Sequence, residues 1–117
     1  DFRYFLTNDE GCWHVSVVEG ADDSLDGFLC SITDPGSSLV GPGAAREDMQ
    51  AAALLRTVLD HEPGRQRVWL VPSERRELVD VCYSWGARNC ELHLAQVIGE
   101  AQPLSGVILP SFMPETW

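Results

Sequence analysis

The stretch of sequence that decides the fold is Ser38-Leu-Val-Gly-Pro-Gly-Ala-Ala-Arg-Glu-Asp-Met-Gln-Ala-Ala-Ala-Leu-Leu55. Residues 38–40 predict a short strand that ends in the Gly-Pro-Gly turn of residues 41–43. Apolar residues then recur at helical spacing over residues 46–61, and Glu47 and Asp48 stand in the first turn, where the helix dipole favours acids. Backbone N–H groups at such a strand-to-helix junction attract phosphate, although a Gly-Pro-Gly sequence alone is more often simply a turn.

The patterns on either side of this junction predict the rest of the architecture. Strand patterns cover residues 2–7, 13–19 and 27–32 before it, separated by polar turns such as Asp34-Pro-Gly-Ser. A buried-type strand over residues 67–71, a helix over 74–85 and an alternating strand over 91–98 follow it. We therefore predict an α+β fold with a mostly antiparallel mixed sheet, one parallel strand–helix–strand crossover and two main helices.

Composition and charge narrow the function classes. The 117 residues predict one domain, and 18 acidic against 8 basic side chains give a net charge of −10, which argues against nucleic acid and anionic membranes as partners. All basic residues are arginine, which excludes chemistry that needs a lysine. No apolar run approaches the roughly 20 residues of a membrane span, and no secretory signal opens the chain, so we expect a cytoplasmic protein. Because the chain begins with Asp1, we expect it to be part of a longer protein.

The junction resembles the GNAT acetyltransferase superfamily, whose Arg/Gln-x-x-Gly-x-Gly/Ala signature opens a helix that holds the pyrophosphate of acetyl-CoA. The matching residues run from Arg46 to Ala51, with Met49 where the signature has its middle glycine. The resemblance implies acetyl transfer from acetyl-CoA to an amine. It implies cofactor contacts from Leu39, Val40, Gly41, Gly43, Ala44, Ala45, Arg46, Gln50 and Ala51. Because Met49 crowds the backbone and Glu47 and Asp48 repel phosphate, we expect weak binding.

A second match implies a catalytic residue. Residues 71–87 resemble the superfamily's strand and following helix, in which a tyrosine shortly before a glycine protonates the departing thiolate. Tyr83 is the corresponding residue here, three positions before Gly86. As an alternative, Tyr83 is an amphipathic aromatic residue at a helix edge.

The C-terminal stretch resembles the end of bacterial two-domain GNAT proteins, which implies that this chain is their second domain. The apolar tail with Phe112 and Trp117 then implies packing against a second GNAT domain or a second copy. The alternative function is a non-catalytic GNAT-like domain that binds a partner or dimerises.

Metal and thiol chemistry remain as further alternatives. Cys12-x-His14 and Cys90-x-x-His93 form a formal zinc set, but 75 residues separate the two halves, so we expect no metal. Cys82 or Cys90 with His93 is a formal nucleophile pair. With no signal peptide and no Cys-x-x-Cys motif, we expect reduced and mostly buried thiols instead.

Overall fold

The computed structural model describes residues 3–111 of the chain. In chain order, its elements are α1 (Arg3–Thr7), β1 (Trp13–Glu19), β2 (Leu25–Ile32), β3 (Val40–Ala45), α2 (Asp48–His61), α3 (Arg76–Ser84) and β4 (Val107–Leu109), with a short 3-10 turn at Ala21–Asp23. None of the helices in residues 3–111 has the length and apolarity needed to cross a bilayer.

The four strands form one antiparallel sheet in the order β1-β2-β3-β4. Between β2 and β3 the chain turns at Asp34-Pro-Gly, where the Asp34 carboxylate accepts a hydrogen bond of 2.6 Å from the Gly36 amide. Aspartate favours turns because its side chain makes such a bond to the backbone two residues further on, and the sequence therefore predicts this turn. The α+β class, the antiparallel pairing and the two main helices are confirmed.

The predicted parallel crossover is reduced to one isolated bridge between Leu39 and Val68. The Val40 amide donates to the Val68 carbonyl at 2.9 Å, and the Val68 amide donates to the Ser38 carbonyl at 2.8 Å. Further along the same edge, β4 pairs with β3 from Gly43 to Ala45 and leaves no free edge for a longer strand. The predicted strand over residues 67–71 is therefore wrong in extent.

One face of the sheet carries the hydrophobic core. Leu29 on β2 and Leu109 on β4 pack below α2, whose Leu54, Leu55 and Val58 lie on its buried stripe. Helix α3 contributes Leu78 and Cys82 to this core. The partly buried side chains of Trp69, Val71 and Trp85 pack against it. The apolar residues that recur at helical spacing over residues 46–61 are thus the ones with which α2 packs on the sheet.

Two predicted strands are wrong. The aromatic segment at residues 2–7 is a short helix over its described part, and Phe5 packs edge-on against Trp13 with ring centroids 4.7 Å apart. Residues 91–98 form no strand, because within residues 3–111 they hydrogen-bond to no other strand. The predicted contacts of Phe112 and Trp117 lie outside the described residues.

Candidate site at the junction of β3 and α2

The Gly-Pro-Gly sequence is not a turn but part of β3. A Cβ atom at Gly43 would lie 2.6 Å from Leu29 Cδ1 and 2.8 Å from the Phe28 carbonyl oxygen. At Gly41, where φ is +120°, a Cβ atom would lie 2.7 Å from the Pro110 carbonyl oxygen. These glycines therefore let neighbouring strands approach closely. The predicted strand over residues 38–40 and the turn at 41–43 are wrong because local sequence does not reveal this packing.

The residues predicted to contact a cofactor have unequal access to solvent. The structure buries four of these residues in β3, namely Val40, Gly41, Gly43 and Ala45. It also buries Ala51, which belongs to the first turn of α2. Leu39, Ala44 and Gln50 are half-buried, and the Arg46 side chain is 66% exposed. At the outer edge of β3, Val68 bridges to Leu39 before Gly41, and β4 pairs with the residues after it.

A cleft of about 650 Å³ opens where β3 ends and α2 begins. Its lining residues are Leu25, Asp26, Gly27, Phe28, Ala44, Ala45, Arg46, Glu47, Ser105 and Gly106. Ala44, Ala45 and Arg46 belong to the predicted set, so the structure brings these three to one cleft. Sequence reasoning missed Asp26 and Ser105, which reach the cleft through strand pairing and a distant loop.

Asp26 organises the polar side of the cleft. Its carboxylate lies 2.7 Å from Arg46 Nε and accepts a bond of 3.4 Å from the Gln50 amide group. The Arg46 backbone amide also donates to the Asp26 carbonyl at 3.0 Å. A guanidinium has five N–H donors, so the ion pair with Asp26 leaves donors of Arg46 for a ligand.

The N-terminus of α2 is already capped by the chain itself. Glu47 is the N-cap residue, and its backbone amide donates to the Gln50 side-chain oxygen at 3.1 Å in a capping box. Asp48 lies 3.7 Å from Arg75, whose guanidinium also donates to the Gly106 carbonyl. The helix therefore begins at Asp48 rather than Arg46. The carboxylates of Asp26, Glu47 and Asp48 would repel an anion that approached this end of the helix.

Tyr83 does not line this cleft. It lies near the end of α3 and is half-exposed, whereas Arg75 beside the cleft immediately precedes that helix. At 1.5 Å per residue, the two positions are roughly 12 Å apart along the helix. The structure thus brings Arg46, but not Tyr83, to the cleft.

The alternative metal and thiol sites are dispersed. Within residues 3–111 no three His, Cys, Asp or Glu side chains lie close enough to hold a metal ion. The four cysteines are free thiols, Cys30 and Cys82 buried and Cys90 exposed. Burial raises the pKa of Cys30 to about 12 and also raises the pKa of Cys82, which disfavours the nucleophilic thiolate at both.

A histidine pair at the other end of α2 was not predicted from sequence. The rings of His14 on β1 and His61 stack with centroids 4.3 Å apart and an interplanar angle of 13°. Burial lowers the pKa of His14, and the charge of His61 lowers it further, against the opposing effect of Glu62. Only the pairing of β1 with the sheet brings residues this distant in sequence together.

This histidine pair makes stability depend on pH. An unfolded histidine titrates near pH 6.5, and the folded pKa of His14 lies lower, so the unfolded chain binds more protons as the pH falls through that window. We expect the urea concentration at the unfolding midpoint to decrease as the pH is lowered from 7.5 to 5.5. The variant His14→Gln should show a smaller decrease. His93→Gln, an exposed site beside Glu91, is the control. Equal pH dependence in the His14 variant and the unmodified chain would contradict the assignment.

Comparison with known proteins yields no relative. No protein-family model matches the chain, and neither does any curated protein or solved structure.

Proposed function

We propose that this chain is a GNAT-type N-acyltransferase domain that holds the pyrophosphate of acetyl-CoA beside Arg46, in the cleft at the β3–α2 junction. The observation that carries the proposal is the position of the cleft, which lies at the β3–α2 junction and is lined by Ala44, Ala45 and Arg46. This is the junction at which the resemblance implies a phosphate site. The exposed Arg46 guanidinium is the cation of the cleft lining, and pyrophosphate is an anion.

The reaction itself needs little from the protein beyond positioning. The amine nitrogen of the acceptor attacks the thioester carbonyl carbon. As the C–N bond forms, the C–S bond breaks, and the amine loses one proton to water. In the proposed reaction Tyr83 donates its phenolic proton to the departing thiolate and then regains a proton from water. The pantetheine arm separates the pyrophosphate from the thioester, so this acid belongs at the far end of the cofactor and not in the phosphate cleft.

The charges around Arg46 set the expected affinity. Asp26 holds the guanidinium at 2.7 Å, and Glu47 and Asp48 stand at the start of α2. These carboxylates oppose a phosphate ligand, so we expect a dissociation constant in the high micromolar range or above, equivalent to about 4–6 kcal/mol. Asp26→Asn should tighten binding because it removes the nearest negative charge and releases Arg46.

Titration calorimetry with acetyl-CoA at millimolar concentration tests the site. We expect Arg46→Ala to weaken binding about tenfold, equivalent to about 1.4 kcal/mol, since Arg46 is the one arginine among the described residues that line the cleft. The matched control is Arg56→Ala, which removes an exposed arginine from α2 that pairs with Asp60. Submicromolar binding by the unmodified chain would contradict the expected weak affinity, and no binding or equal effects of the two alanine variants would contradict the proposed site.

A second candidate function is a non-catalytic domain that associates with a partner or with itself. The observation that favours it is the set of exposed apolar side chains on one segment, Leu92, Leu94, Val97, Ile98 and Leu104. Soluble monomers rarely expose so much apolar surface on contiguous residues. Sedimentation equilibrium over a range of protein concentrations tests it, because a monomer throughout would rule out self-association.

A further inference from the structure

Residues 88–105 form a long exposed segment between α3 and β4. Every residue of this segment is exposed, including Leu92 at 82%, Leu94 at 81% and Ile98 at 104% of the reference area. Loops of this length without secondary structure are uncommon in compact domains and are usually either functional segments or linkers. Leu92, Leu94 and Ile98 alternate with other residues, so the segment carries the pattern of a strand with one apolar face but pairs with no strand among residues 3–111.

The outer edge of β1 offers matching backbone groups. The Asn8 side chain binds both the amide and the carbonyl of Trp13 at 2.9 Å, so Trp13 directs its backbone groups away from β2. Cys12, by contrast, accepts from the Thr33 amide on the β2 side at 2.7 Å. Because directions alternate along an antiparallel strand, Val15 and Val17 also direct theirs outward. Within residues 3–111, nothing outside the sheet hydrogen-bonds to these two backbones.

We propose that residues 92–96 of one copy add as an antiparallel strand to the outer edge of β1 in a second copy, and that the exchange is reciprocal. The proposal deepens the second candidate function and rests on it. Pairing Val17 with Leu94 and Val15 with Gln96 places Leu92 and Leu94 on the sheet face that carries Trp13 and Val15.

Charge supports this direction of pairing. If the register of Val17 with Leu94 continues past the end of β1, Arg88 comes level with the acidic turn Ala21–Asp23, which carries two aspartates, and Glu91 with Gly20. The net charge of −10 per chain opposes association at long range, and salt screens it. Association should therefore strengthen as ionic strength rises from low values.

The position of the segment favours a second copy over its own β1. It leaves the core at Ala87 and returns at Gly106, which lies against Ala45 on β3 and leads into β4. The sheet order puts β1 at the opposite edge from β4, and within residues 3–111 the segment pairs with no strand of its own chain. A two-fold dimer satisfies both open edges at once, because each chain supplies one strand segment and one edge.

Sedimentation equilibrium of two matched variants tests the surface. Leu94→Asp puts a charge in the paired stretch, whereas Leu104→Asp changes an equally exposed leucine outside it. We expect the unmodified chain and the Leu104 variant to dimerise and the Leu94 variant to dimerise at least tenfold more weakly. Equal effects of the two variants would overturn this pairing while leaving self-association intact, and a monomeric unmodified chain would overturn both.

Cross-linking tests the register independently. In a chain carrying Val17→Cys and Leu94→Cys, with the exposed thiol removed by Cys90→Ser, mild oxidation should join two copies through the cysteines at positions 17 and 94, as identified by peptide mapping. The control pair is Val17→Cys with Gln96→Cys, which lies opposite in a parallel arrangement. Preferential linkage of the control pair, or linkage within one chain, would overturn the proposal.

Discussion

Arg67→Ala should lower the free energy of unfolding by about 1–3 kcal/mol, the usual effect of leaving a buried hydrogen-bond acceptor without its donor. The Arg67 side chain is only 2% exposed, pairs with Glu62 and donates to the Ile32 carbonyl at 2.8 Å. Burial by itself would raise the pKa of Glu62. A hydrogen bond from Arg65 and the charges of both arginines nevertheless hold that pKa below its usual range. Removing Arg67 therefore leaves the Ile32 carbonyl without this donor, whereas Glu62 keeps its ion pair with Arg65 at 2.5 Å.

The control for this variant is Arg56→Ala. Arg56 also pairs with an acid, Asp60, at 3.0 Å, but both side chains are more than half exposed. Exposed pairs of this spacing contribute only about 0.3–0.5 kcal/mol. Denaturant unfolding of both variants gives the comparison. A similarly small loss of unfolding free energy in both variants would show that the contacts of Arg67 with Glu62 and Ile32 do not stabilise the fold.

Gly43→Ala should destabilise the fold by about 1–3 kcal/mol, the range for inserting a methyl group into a packed interior. The added Cβ atom would lie 2.6 Å from Leu29 Cδ1 and 2.8 Å from a backbone oxygen that cannot move aside. A glycine in an exposed phosphate-binding turn would tolerate alanine with little loss of stability. The substitution therefore separates the observed strand from the turn predicted by the sequence.

Gly36→Ala is the matched control, because Gly36 lies in the exposed turn after Asp34. An added Cβ atom there meets only the Asp34 carboxylate, at 3.0 Å. Thermal unfolding followed by circular dichroism compares the two variants. An unchanged midpoint in the Gly43 variant would contradict the close approach of β2 and β3.

The elements that could be predicted are those whose patterns are local and strong. Helix α2 carries its apolar stripe over four turns, and the first hairpin is bounded by polar turn residues on each side. The Asp34 turn has a side chain that fixes it by its own hydrogen bond. In each case, short-range sequence and tertiary packing favour the same structure.

The errors arise where distant residues decide the structure. Gly41 and Gly43 look like turn residues until Pro110 and Leu29 are known to lie against them. Residues 91–98 alternate like a strand, yet the sequence does not reveal that β4 would take the edge of β3 at Gly43–Ala45. Of the predicted cofactor residues, the structure brings Arg46 to a cleft but buries Gly43 and Ala51, because burial depends on the whole sheet.

The measurement that tests the proposed acyl-CoA site most directly is an amide chemical-shift map during titration with coenzyme A. If the pyrophosphate lies beside Arg46, we expect the amides of residues 44–50 and of Gly106 to shift in a saturable way at millimolar ligand. Amides of β1 lie two strands away and should stay unchanged. Absence of saturable shifts at the β3–α2 junction, or larger shifts elsewhere in the chain, would contradict the proposed site.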